Sequence, residues 1–215
     1  MQSMKLAISA ALAALAFAAP AQAQEASRWF VHLGPALVSP DEDARMTAGG
    51  QPVPGANVSI DSRWTVAGEI GYFLTPNIAI ALAAGYPPTF KVETAGTMAG
   101  MGTAGEMTGG PAGLLLQYHF NSEGRIKPYV GAGASFLVVF GTKDGLMTDL
   151  KAKSAVGTAL QAGVDIMLDD RMGMFVDVKK AWVGTVATGD MGPAPVRAKV
   201  DVNPLVTNVG LTYRF

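Results

Sequence analysis

The chain has 215 residues, with 16 basic against 17 acidic side chains, 49% hydrophobic and 15% charged residues, and no cysteine. The near-neutral balance speaks against nucleic acid as a partner, and the missing cysteines exclude a disulfide scaffold and thiol chemistry. Charge this far below the roughly 25% usual for soluble proteins, with no mature run of about 20 apolar residues for a membrane helix, requires apolar residues spaced at a short period.

From the N-terminus, Lys5 precedes an apolar run from Leu6 to Ala19, and Ala21-Gln22-Ala23 follows it. This pattern reads as a secretory signal peptide over residues 1–23, with a mature domain over 24–215. The apolar run is too short for a transmembrane anchor. Cleavage would remove one charge, Lys5, and leave 15 basic against 17 acidic side chains.

The mature chain alternates at period two, the mark of strands with one bulky face. The first strand carries Trp29, Val31, Leu33 and Leu37 on that face. Next come Trp64, Val66, Ile70 and Tyr72; Ile78, Ile80, Leu82 and Tyr86; and Leu114, Leu116, Tyr118 and Phe120. Val130, Ala132, Phe136, Val138 and Phe140 follow, then Val156, Leu160, Val164 and Ile166. Met174, Val176, Val178 and Trp182, and finally Val209, Leu211, Tyr213 and Phe215, bring the count to eight strands. The opposite face is mostly Gly and Ala with a few polar groups.

Turn-like joints at Leu74 to Asn77, Asn121 to Pro128 and Leu168 to Met172 alternate with longer Gly/Pro/Met-rich joints near 39–61, 91–110, 141–153 and 184–198. Strict alternation of short and long joints predicts an all-β fold, an eight-stranded antiparallel up-and-down barrel with four loops at one end. A soluble lipocalin-like barrel would turn its bulky face inward and need a charged exterior, which a Gly/Ala face cannot supply. The bulky face therefore points to lipid, and the small face fills a narrow lumen. Aromatic girdles agree: Trp29, Tyr72, Phe120 and Phe215 lie at the short-turn end, and Trp64, Tyr86, Phe140 and Trp182 at the loop end.

The stretches EIGYFLTPNIAIALAAGYPPTF (Glu69 to Phe90), GLLLQYHF with IKPYVGAGASF (Gly113 to Phe136), FVDVKKAWV (Phe175 to Val183) and the terminal VGLTYRF occur in this order. With them the chain resembles the OmpW family of eight-stranded outer-membrane barrels over nearly all of its mature length. The resemblance implies location in the cell outer membrane, contact with membrane lipid and lipopolysaccharide, and a narrow apolar passage. That passage would admit small hydrophobic molecules and release them sideways. By resemblance to outer-membrane barrels generally, a last strand ending in Phe215 is the signal for the barrel-assembly machinery.

Several residues give these expectations a physical footing. Pro87 and Pro88, at the loop end of the third strand, and Pro111, at that of the fourth, cannot donate to a ladder. They either loosen the wall or simply end the strands. Met46, Met98, Met101, Met107, Met147 and Met191 fall in the long loops, where thioethers give adaptable apolar surface or, with other soft ligands, a copper(I) site. Without His or Cys beside them, the apolar mouth is the preferred reading. Inward parity carries Glu69, Gln117, His119, Gln161, Asp165, Asp177, Lys179 and Arg214, expected to neutralise one another as a plug rather than a relay.

No metal or cofactor is expected. His32 and His119 stand on different strands, Ser135 lies in GAGASF rather than a nucleophile turn, and Gly131 with Gly133 opens no helix. The chain is read as a non-enzymatic passage for small hydrophobic solutes, with a structural or adhesive barrel as the competing reading.

Overall fold

A computed structural model describes residues 28–121 and 124–215. The expected signal peptide lies outside the described residues. The elements in chain order are β1 (Trp29–Ser39), β2 (Asp43–Ala48), β3 (Gln51–Pro52), β4 (Ala56–Ile60), β5 (Arg63–Phe73), β6 (Ile78–Gly85), β7 (Thr89–Gly96) and β8 (Thr103–His119). They continue with β9 (Ile126–Asp144), β10 (Thr148–Ala152), β11 (Ala155–Met167), β12 (Met172–Trp182), β13 (Gly184–Met191), β14 (Ala194–Asp201) and β15 (Leu205–Arg214).

Eight strands close into a ring in the order β1, β5, β6, β8, β9, β11, β12, β15, every neighbour antiparallel. Closure rests on the first and last strands, paired from Phe30↔Arg214 to Ser39↔Leu205. An up-and-down ring leaves no unpaired edge, which a bilayer would not tolerate. The short joints are stapled by side chains: Ile78 N–H donates to Thr75 Oγ1 (3.0 Å), Gly124 N–H to Asn121 Oδ1 (3.0 Å) and Met172 N–H to Asp169 Oδ1 (2.7 Å). Each is a local side-chain turn of the kind Thr, Asn and Asp favour.

Parity sets the two faces. Leu33, Trp64, Leu116, Val156, Leu160 and Leu211 point out and are 49–69% exposed, whereas the intervening Ala36, Ala79, Ala81 and Leu115 are buried in the lumen. So wide an apolar exterior is stable only against lipid. Of the aromatics expected as girdles, Trp29 is edge-on to Tyr72 (5.0 Å) and Phe215 is edge-on to Tyr213 (4.9 Å) at the short-turn end, and Trp64, Tyr86, Phe140 and Trp182 are exposed at the loop end.

The structure departs from the sequence reading in the four long joints, which are largely strand rather than irregular loop. β10, β13, β14, β2 and β3 form a separate five-stranded sheet beyond the barrel rim. β8 and β9, at 17 and 19 residues, run well past the roughly 10 that cross a membrane, and β7 and β4 continue that wall. Pro111 accordingly lies within β8, paired with Leu137, instead of at a strand end. These strands were hidden because their partners are remote: β14 pairs with β2 through Arg197↔Thr47, about 150 residues apart, and short alternations such as Ala44/Met46 are weak by themselves.

Candidate functional site: a plugged lumen beneath an apolar chamber

The inner half of the lumen is filled by polar side chains that pair with one another. Glu69 on β5 accepts from Gln117 Nε2 (2.7 Å) and Gln161 Nε2 (3.0 Å), and its carboxylate pairs with Lys179 Nζ at 3.2 Å. Lys179 also pairs with Asp177, which accepts from Gln161 and from Tyr129 OH (3.1 Å). A second cluster joins Arg214 to Asp165 Oδ2 (3.0 Å), and His32 bridges the two, with Nε2 3.0 Å from Asp165 Oδ1 and Nδ1 3.5 Å from Glu69 Oε1.

Rings complete the filling. His32 stacks on Phe175 at 4.3 Å, His119 on Tyr129 at 4.9 Å, and Phe73 meets both His119 (4.8 Å) and the Arg214 guanidinium (4.9 Å). Glycine makes room for two of them. A Cβ at Gly71 would lie 2.2 Å from the Phe30 ring, and one at Gly163 would lie 2.4 Å from Tyr129.

All eight residues expected to form an inward polar network are therefore in the lumen, and they meet. His32, Tyr129, Phe30 and Phe175 belong with them and were missing from that set. Inward parity was the available signal for His32, but a lone His or Phe on a small-residue face does not say which partner it will meet. Among the described residues no three His, Asp or Glu side chains are arranged to hold a metal ion.

Above the plug the interior turns apolar. Leu115, Ala159 and Ala181 form a small waist. Beyond it, Met46, Val58, Ile60, Phe90, Met107 and Leu137 pack inside the extracellular extension, with Met98 against them. Met147 is buried in an adjoining cluster that Met191 partly covers, whereas Met101 is 53% exposed. The methionines thus divide: most face the interior, and Met101 faces out.

The barrel wall is interrupted beside the waist. β6 pairs with β8 as far as Ala83↔Gly113, and pairing on that side resumes only with β7 at Thr89↔Thr108. Tyr86, Pro87 and Pro88 occupy the gap, bridged by Gly109 N–H donating to Pro88 O (3.1 Å). A narrow cavity of about 60 Å³ runs here from Lys179, Asn208 and Leu115 in the lumen to Tyr86, Pro88 and Pro111 in the wall. Neither proline has an N–H with which to close the ladder.

Comparison with known proteins follows this architecture. The chain is 33% identical to outer membrane protein AlkL of Ectopseudomonas oleovorans over 81% of this chain and 76% of AlkL. It is 30% identical to the dibenzothiophene metabolism operon protein PahQ of Pseudomonas aeruginosa over 92% of this chain and 93% of PahQ. The crystal structure of the outer membrane protein OprG from Pseudomonas aeruginosa superposes with a TM-score of 0.82 at 22% identity, covering 89% of this chain and 97% of OprG, a likeness of fold. With the OmpW family model matching residues 25–215, the chain is an outer-membrane β-barrel that belongs to the OmpW family.

Proposed function

We propose that the chain carries small hydrophobic solutes from outside the cell into the hydrocarbon layer of the outer membrane, releasing them sideways between β6 and β8. The observation that carries this reading is the cavity joining the apolar waist to the wall where ladder pairing is missing, at Pro88 and Pro111. Straight passage to the periplasm is opposed by the plug, where an apolar solute would have to displace paired charges. Breaking such buried pairs costs about 3 kcal/mol or more each. Met46, Met98 and Met107 suit an entrance, because unbranched thioethers repack around differing shapes. The dibenzothiophene operon named for the relative PahQ agrees with an apolar cargo.

The test uses Ala84→Cys with Ala112→Cys, the next pair beyond Ala83↔Gly113 in register, in a chain without native cysteine. Oxidised barrels in liposomes should lose uptake of an aromatic hydrocarbon and regain it on reduction. Unchanged uptake with the disulfide formed would rule out the lateral route. Equal, negligible uptake of apolar and polar solutes by the unmodified barrel would favour the structural or adhesive reading. We further propose that the last strand, ending at Phe215, is read by the assembly machinery.

A further inference from the structure

The five-stranded extracellular sheet has one face on the apolar chamber and one that none of the described residues covers. Register places the outer face in rows. Thr47, Arg197, Thr188 and Lys151 stand side by side across β2, β14, β13 and β10. In the next row Arg45 is opposite Lys199 and Lys199 is opposite Val186, whose carbonyl accepts from Lys153 N–H (3.2 Å). Arg45, Lys151, Lys153, Arg197 and Lys199 are all exposed, and none makes an ion pair among the described residues. Like charges directly opposite, as in Arg45↔Lys199, weaken a sheet. The acidic residues of the sheet flank the two rows: Asp43 faces Asp201 one row nearer the membrane, Asp190 lies one row further out, and Asp149 is exposed in the β10 bulge between Thr148 and Lys151.

Position narrows the partner. Val186 is four residues beyond Trp182 of the outer girdle, roughly 13 Å of strand. The basic rows therefore lie a short way outside the outer girdle, within reach of lipid headgroups. β12, which leads into β13, and β15, which follows β14, lie across the ring from β6 and β8. On the gap side the exposed charges are mixed, Lys91 with Glu93, and Lys143 paired to Glu106 at 3.5 Å.

We propose that this basic face binds the phosphate groups of lipopolysaccharide and holds the glycolipid against the wall opposite the lateral gap. Each exposed guanidinium or ammonium supplies charge-assisted donors to phosphate oxygens, and Arg does so bidentately. Glycolipid held there leaves the gap side of the barrel in less tightly anchored lipid.

The experiment measures binding of fluorescent rough-type lipopolysaccharide to the full-length protein in neutral detergent. The arms are intact lipopolysaccharide, the same lipid after dephosphorylation, and inorganic phosphate as competitor. The unmodified protein should prefer the phosphorylated lipid at least about tenfold, with binding that weakens as salt rises. The variant Arg45→Gln/Lys151→Gln/Arg197→Gln/Lys199→Gln should lose that preference while keeping its heat-modifiable gel mobility. The control Lys91→Gln/Lys143→Gln should keep it. Equal binding of both lipids by the unmodified protein, a preference that survives the quadruple substitution, or displacement by millimolar inorganic phosphate would overturn the proposal. Should the quadruple variant not fold, Arg45→Gln/Lys199→Gln and Lys151→Gln/Arg197→Gln apart should each lower the preference several-fold; no change in either would likewise overturn it.

Discussion

His32 and Asp165 meet at 3.0 Å in the middle of the lumen, and Asp165 holds Arg214 with its other oxygen. One carboxylate thus ties the first strand, the sixth barrel strand and the last strand together beside the seam where the barrel closes. Asp165→Asn should leave the half-buried Arg214 without its counter-charge. Unfolding in urea from lipid vesicles should show a loss of about 3 kcal/mol, whereas Asp169→Asn, in an exposed turn, should show much less.

Thinning the plug separates the two possible routes. Glu69→Ala with Gln161→Ala removes both bridges to Gln117 and opens space beneath Lys179. Planar-bilayer recordings should show ion conductance well above that of the unmodified barrel, while hydrocarbon uptake by liposomes stays within about twofold. A rise of both together would mean that the solute leaves through the lumen floor.

Gly163 faces the Tyr129 ring across the β11–β9 ladder, and a Cβ there would come within 2.5 Å of the phenol oxygen. Gly163→Val should push Tyr129 off Asp177 and destabilise the barrel by about 1–3 kcal/mol. The lost Tyr129–Asp177 contact would be read from tyrosine ring NMR signals and the stability from urea titration.

Asp169 lies in an exposed turn and accepts from the N–H groups of Met172 (2.7 Å) and Arg171 (2.8 Å). These bonds favour the carboxylate and hold its pKa below the ordinary 3.8, so its contribution is full above that value and is lost as pH falls through the lower folded pKa. Carboxyl NMR titration should show Asp169 ionised at a pH where a free Asp is half protonated. Asp169→Ala should remove the acid-dependent part of the turn's amide protection.

Phe215 donates its N–H to Trp29 O (3.1 Å) and is 42% exposed at the short-turn end. Its deletion removes one rung and one interfacial ring from a long seam. Refolded protein should therefore lose little stability, whereas the amount of folded barrel in outer-membrane fractions should fall several-fold. Equal amounts from the full and truncated chains would leave Phe215 a packing role alone.

The barrel, its eight spanning strands and its apolar outer face were legible in the sequence because each follows from period-two alternation within about ten neighbouring residues. Inward parity likewise identified Glu69, Asp165, Asp177, Lys179 and Arg214 as lumen residues. Tertiary structure alone decided which of them meet, since Glu69 and Lys179 are brought together by ring closure rather than by spacing. The same holds for His32 as the bridge, for Pro88 standing beside Pro111 within a continuous β8, and for the extracellular sheet. Local pattern reports which way a side chain points. Its partner on a distant strand is set by register around the ring, and there the long joints became strands that bring Arg45, Lys199, Arg197 and Lys151 into two adjacent rows.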